Sequence, residues 1–254
     1  MMVIADTLFR SRDRTGTEIG PKIFTSSIRL STYGEAGPPI ACPDIGFAFA
    51  GHTAAGQVTH AIASAGLRDL HQGKDEGNGC PSIEDIARFF GRCGKSVVRE
   101  MRLHHPTGDY SFESVIFGWQ GEQAVAWQVD VSIDSEERPT SIIERMNFEE
   151  FGLFAIGQGS DAVQAFLSDS AASGIQPDGF DALRFVMNNG AFPGVGGRIQ
   201  AACASPAGVE LKPVLIVSDD GNATGGYMGT ELQHLGTVGG FIPLSGTPIV
   251  LSTR

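Results

Sequence analysis

Ile4-Ala5-Asp6-Thr7, followed by Lys22 inside Pro21-Lys22-Ile23-Phe24, is the stretch on which the reading of this chain turns. Met2 to Ala5 reads as a short apolar strand and Ile23 to Leu30 as another, joined by a charged stretch rich in Arg, Thr and Gly. An acid ending one strand and a lysine opening the next can meet if a turn brings the strands together. Such a pair, taken alone, is commonly a surface ion pair of little energetic weight. Two glycine turns further along add to it: Phe47-Ala48-Phe49-Ala50-Gly51-His52-Thr53, and Ala155-Ile156-Gly157-Gln158-Gly159-Ser160. Either turn alone could be a strand-to-helix connection that uses glycine for its backbone freedom.

Outward from these pieces the pattern is regular. Gly34 to Pro43, with its prolines and glycines, reads as a loop, and Ile45 to Ala50 as a strand buried on both faces. Helical periodicity runs from Thr53 to Leu70 with Thr53 as N-cap, and Gln72 to Pro81 reads as a loop. Ser82-Ile83-Glu84-Asp85 opens a second helix that reaches about Met101, close to a capping box. Gly91 and Gly94 inside it each cost about 1 kcal/mol relative to alanine, which points to close packing there. Phe112 to Trp119 and Gln123 to Val131 form a hairpin through Gln120-Gly121-Glu122, and Ser141 to Met146 and Gly152 to Ile156 add strands. Asp161 to Ala172 and Phe180 to Met187 are helical, the second closed by Asn188-Asn189-Gly190. Arg198 to Ala204, Leu211 to Ser218, Gly239 to Ile242 and Pro248 to Leu251 return to strand. Strands and helices come in blocks, which argues against a doubly wound βαβ fold and for sheets with helices on their outer faces.

Composition narrows the function. The formal charge of −11 disfavours nucleic acid and anionic membrane as partners, since both call for a basic surface. The first residues carry an acid where a signal peptide would be apolar, and no apolar run approaches the roughly 18–20 residues that span a bilayer. Cytoplasmic residence is the default. Cys42, Cys80, Cys93 and Cys203 show no CxxC pair, so four reduced cysteines are expected. His104-His105 with Asp109 would need converging third and fourth ligands, which spacing does not show, to bind a metal, and Asp219-Asp220-Gly221-Asn222 reads as a turn without the rest of a calcium loop. No cofactor and no metal are expected.

Taken in order, the four pieces resemble a proteasome-type β-subunit of the HslV-like family of N-terminal nucleophile (Ntn) hydrolases. The resemblance implies an α+β fold, a four-layer αββα sandwich, as one domain over residues 1–254 with a long C-terminal β-rich segment from about 205. It implies hydrolysis of peptide or small amide bonds by a threonine-type peptidase, a homo-oligomer and no cofactor. In that chemistry a threonine hydroxyl attacks the carbonyl, its own α-amine serves as base, a lysine held by an aspartate supplies positive charge, and a backbone N–H binds the oxyanion. By motif, Asp6 matches the family aspartate, Lys22 the lysine, Gly51 the oxyanion glycine and Ser160 the serine of the late glycine turn. Phe192 and Val195 depart from the family's polar pair before Gly196-Gly197, and the connection from Lys22 to Gly51 is longer than usual. The family's nucleophile lies on a strand before the aspartate. With Asp6 so close to Met1, the expectation is that this N-terminal strand is missing from the chain. The alternative is a non-catalytic ring or scaffold subunit that keeps the fold.

Overall fold

In chain order the secondary structure runs β1 (Met2–Asp6), β2 (Phe9–Ser11), β3 (Arg14–Thr17), β4 (Ile23–Thr32), β5 (Ile40–Gly51), α1 (Thr53–Leu67), β6 (Leu70–Gln72), α2 (Ile83–His104), β7 (Phe112–Gln120), β8 (Gln123–Ile133) and β9 (Pro139–Arg145). It continues through α3 (Ser160–Ala172), α4 (Gly179–Asn189), β10 (Ile199–Ser205), β11 (Gly208–Lys212), β12 (Val214–Val217), β13 (Ala223–Tyr227), β14 (Thr230–Glu231) and β15 (Ile249–Ser252). The structure is a computed structural model and describes residues 1–6, 8–11, 14–17, 20–32, 39–72, 79–147, 153–218, 220, 222–228, 230–231 and 247–252. The fold is mixed α/β, with several sheets and four helices among the described residues. The chain divides into two units. The first is Met1, Phe24–Asn147 and Ala204–Val209, and the second is Met2–Ile23, Phe148–Cys203 and Glu210–Arg254.

The first unit is built on a six-stranded sheet of order β6-β4-β5-β7-β8-β9. β5 and β7 are its central strands, and β7 forms a hairpin with β8, in register from Phe112↔Val131 to Gln120↔Gln123, with Gly121 in the left-handed region at φ 62°. That conformation suits glycine and explains why the turn sits there. α1 packs on β5, and α2 packs on α1 and on β7, β8 and β9. The capping box at Ser82 and Asp85 forms as read, each side chain accepting from the other's backbone N–H. The glycines of α2 work as expected. A Cβ on Gly94 would lie 2.8 Å from Val131 and 3.1 Å from Phe112, so the helix comes closer to the sheet than alanine allows. Phe47 lies at the middle of the core, with ring centroids 5.1 Å from Phe90 and 5.9 Å from Phe49. Phe24 stacks on the His60 ring at 4.5 Å.

A polar knot sits among these rings. His60 Nε2 is 3.1 Å from Ser26 Oγ and 3.0 Å from Ser64 Oγ, and the two hydroxyls are 2.6 Å apart. Burial pushes the His60 imidazole down to about 4, helped by the Arg68 charge and opposed by a hydrogen bond to the Thr25 backbone. The ring is therefore neutral at ordinary pH.

In the second unit, β1 pairs antiparallel with β10, from Met2↔Cys203 to Asp6↔Ile199, in a sheet of order β1-β10-β11. A second sheet has the order β14-β13-β12-β15, with β12 and β15 parallel. α4 packs on β1 and α3 on α4. Phe180 of α4 is buried with Ile199, Ala201, Val214 and Leu251, and Ile4, Leu183 and Met187 pack against that cluster. α4 starts at a capping box of Asp178 and Asp181 and stops at Gly190, φ 69°.

Several expectations need correction. Residues 40–43 belong to β5, not to a loop; Pro43 lies outside Gly46–Gly51, the stretch in register with β7. The N-cap of α1 is His52, whose Nδ1 accepts the Ala55 N–H at 3.2 Å, and not Thr53. Residues 153–156 carry no strand, and the run read over 211–218 is split at Pro213 into β11 and β12. β2, β3, β6, β13 and β14 were not expected. The strand read at Gly239 to Ile242 lies outside the described residues. Two of the four cysteines are not reduced: Cys42 and Cys80 form a disulfide with Cα atoms 5.8 Å apart, and Cys93 and Cys203 are free. Their sequence separation of 38 gave no hint, because only the strand character of residues 40–42 carries Cys42 to the chain just ahead of α2.

The disulfide closes a long loop, so replacing both Cys42 and Cys80 by serine should lower stability by about 3–4 kcal/mol on the loop-entropy view. Urea unfolding of parent and double variant without reductant measures this. His60 binds its proton less readily when folded than when unfolded. Its contribution is therefore complete above about pH 6.5 and is lost as pH falls toward 4. Allowing for screening of a partly exposed ring, His60→Gln should remove on the order of 1–2 kcal/mol of the stability difference between pH 7.5 and pH 4.

Candidate functional site

Asp6 ends β1 and Lys22 lies just before β4, and both are 9% exposed. The Lys22 ammonium donates to both carboxylate oxygens of Asp6, at 2.7 and 2.9 Å. The Gly196 N–H donates to Asp6 Oδ2 at 3.1 Å. The Leu8 N–H is shared between that same oxygen at 3.1 Å and the Gly196 carbonyl at 3.0 Å. A buried carboxylate needs such donors, because an unpaired one loses several kcal/mol of hydration. The aspartate and lysine of the sequence reading thus meet in one charge-assisted contact.

Sequence reasoning missed Gln200. It lies on β10, is 3% exposed, and uses its side-chain amide on the main chain around Lys22. Its Oε1 accepts from Lys22 N–H at 3.0 Å and Ile23 N–H at 3.1 Å, and its Nε2 donates to the Gly20 carbonyl at 3.0 Å. A polar residue inside the apolar run Ile199–Ala204 was the one available signal.

Ser160 opens α3, half-buried, with its N–H donating to the Gly157 carbonyl at 3.1 Å. Gly157 and Gly159 have φ of 82° and 94°, and a Cβ on Gly159 would lie 2.7 Å from Val186, so glycine is required there on both counts. Gln158 Oε1 accepts the Gly194 N–H at 3.1 Å, which ties this turn to the one around Phe192–Gly196. Val195 closes that turn by donating its N–H to the Phe192 carbonyl at 3.0 Å. The late Gly196-Gly197 therefore reaches Asp6 through backbone, although Phe192 and Val195 bring no polar side chain.

Gly51 belongs to the first unit, whereas Asp6, Lys22 and Ser160 belong to the second. It ends β5 opposite Phe112 with φ 100°, and a Cβ there would lie 2.9 Å from both the Phe112 Cα and the Ser111 carbonyl oxygen. The neighbouring His52 donates its N–H to that carbonyl at 3.0 Å. Burial lowers the His52 imidazole, with the Asp109 charge opposing. Among the described residues no group of three or more His, Cys, Asp or Glu could hold a metal ion, and no helix is long and apolar enough to cross a membrane.

No protein family matches the sequence, and no curated protein does. Solved structures do. The helical assembly of the Anbu complex from Pseudomonas aeruginosa matches with a TM-score of 0.45 and 12% identity, over 79% of this chain and 75% of that one. Anbu from Hyphomicrobium sp. strain MC1 matches with a TM-score of 0.40 and 17% identity, over 83% and 79%. A mutant of the same Anbu gives 0.41 and 16% over the same shares. The sequence reading named a proteasome β-subunit or HslV, whereas these three structures are of Anbu. The expectation of a missing N-terminal strand has no support and is abandoned. Met2–Asp6 is the strand read at Met2 to Ala5, and it pairs with β10 from Met2↔Cys203 to Asp6↔Ile199.

Removing one member of a buried pair strands the other. Asp6→Ala and Lys22→Met should each destabilise the protein by about 3 kcal/mol, and the double variant by clearly less than the sum. A double-mutant cycle on urea midpoints checks this; strict additivity would mean that the two charges do not interact.

Proposed function

We propose that the Asp6–Lys22 pair is the charge centre of a proteasome-like Ntn hydrolase acting on peptide or small amide bonds. The observation that carries the reading is the buried two-oxygen contact from the Lys22 ammonium to Asp6, held from the other side by the Gly196 and Leu8 N–H groups. In this reading the ammonium favours the deprotonated form of an attacking group and lowers the basicity of a neighbouring amine. Gly51 is assigned the oxyanion N–H and Ser160 a supporting hydroxyl. The pair supplies charge and not the nucleophile. The αββα architecture belongs to the same reading. So does a homo-oligomer without a cofactor. Cytoplasmic residence is part of it as well, although the Cys42–Cys80 bond weighs toward an oxidising compartment.

One observation favours a second reading, a non-catalytic ring or scaffold subunit. Asp6 serves as an acceptor for three separate chain segments, as a purely structural carboxylate would, and Phe192 and Val195 are apolar. Hydrolysis of a panel of fluorogenic peptide amides separates the two. If the hydrolase reading is right, Lys22→Ala and Asp6→Asn each lower kcat/KM by at least about 100-fold, with KM little changed. Turnover that survives Lys22→Ala sinks this mechanism. A parent protein that is inactive on the whole panel yet forms one defined oligomer in native mass spectrometry establishes the scaffold.

A further inference from the structure

We propose that Gln200 is the positioning residue of the Lys22–Asp6 centre, a role that rests on the hydrolase reading for its catalytic meaning but not for its geometry. Lysine is a poor instrument for placing a charge. Its stem has four rotatable bonds, and an ammonium held only at its tip moves with the backbone that carries it. Here the backbone is held too. The Gln200 amide spans Gly20, Lys22 and Ile23, taking two N–H groups on Oε1 and giving one N–H to a carbonyl.

The register places this clamp where it matters. On β10, Ile199 lies opposite Asp6 and Gln200 opposite Ala5. One strand therefore fixes the aspartate through the β1 ladder and the lysine through a side chain. The carboxylate and the ammonium are built from chain segments sixteen residues apart, and β10 is their common reference.

The chemistry of the amide is specific to the task. A carboxylate in its place would offer acceptors but no donor to the Gly20 carbonyl. An apolar side chain would leave three backbone groups buried without this partner, and asparagine would stop a methylene short. Residue type and location both follow from holding Lys22, and nothing in the hydrophobic packing of β10 requires an amide at this point.

The test uses the full chain and a readout independent of turnover. Parent, Gln200→Met and Gln200→Asn are first checked for folding by circular dichroism. They are then pulsed with an N-hydroxysuccinimide acetate ester, and acetylation at Lys22 is compared with that at Lys95 by peptide mass spectrometry. Lys22, buried and paired in the parent, should be acetylated at least about tenfold faster relative to Lys95 in either variant. In an Asp6→Asn background the same Gln200 changes should add less than about twofold, because the ammonium has already lost its seat. General loosening of the fold would raise Lys95 along with Lys22 and would persist in the Asp6→Asn background. Unchanged Lys22 labelling in a folded variant, or equal effects in both backgrounds, overturns the proposal. If both variants fail to fold, Gln200 is a structural residue and the positioning role falls. Where the parent hydrolyses amides, kcat should fall in the variants with KM held. An inactive parent with the labelling pattern intact would reject the hydrolase reading and leave the positioning role standing.

Discussion

A carboxylate buried at the end of a strand must be surrounded by donors, and in the second unit much follows from meeting that need at Asp6. Its oxygens take the Lys22 ammonium, the Gly196 N–H and the Leu8 N–H. Each donor belongs to a different stretch of chain. The turn after β1, the turn before β10 and the segment before β4 are therefore anchored to one atom group. Burying an ion is expensive, and the cost is recovered only when the geometry is good and every lone pair is used. That makes the pair a source of specificity in chain path more than of net stability. It also means that a charge of known sign stays in a dry place, which is the raw material of electrostatic catalysis.

The first unit solves a different problem, that of filling a helix–sheet interface with rings. Phe24, Phe47, Phe49 and Phe90 need room, and glycines on the facing elements provide it: a Cβ on Gly56 would collide with the Phe49 ring. His60 sits among these rings as a neutral aromatic that happens to have nitrogens, and Ser26 and Ser64 engage one of them. The hydroxyl pair replaces the water the imidazole lost. Thr59 Oγ1, one helix position away, is buried without such a partner.

Much of this was legible in the sequence because it is local. Capping boxes, hairpin turns and the closing glycine of α4 depend on neighbours a few residues apart, and the helices begin and end close to where those signals put them. The Asp6–Lys22 pair was legible because both residues flank apolar strands, but the expectation of a single turn between neighbouring strands is overturned: β1 and β4 belong to different sheets, and the β2–β3 hairpin lies between them in the chain. What failed to show was long-range. Gln200 acts on residues 177 to 180 positions away, and in the sequence it is only a polar break in an apolar run. His52 took the cap from Thr53 because an imidazole nitrogen can accept a backbone N–H as a hydroxyl can. The hairpin of β2 and β3 lay in a stretch whose charges and glycine read as connection. The relation of Gly51 to the other candidate residues was a motif argument, and motifs name residue types without locating them in space.

The Cys42–Cys80 bond makes a covalent ring of the backbone between them, and that ring carries all but the first two residues of β5, Gly51 included, and all of α1. A ring has no loose ends. A single peptide bond broken anywhere on it leaves both new termini tethered to the rest of the chain. Reductant, by contrast, opens the ring without cutting the polymer at all. Protein handled with and without thiol is thus two topologically different molecules of identical sequence.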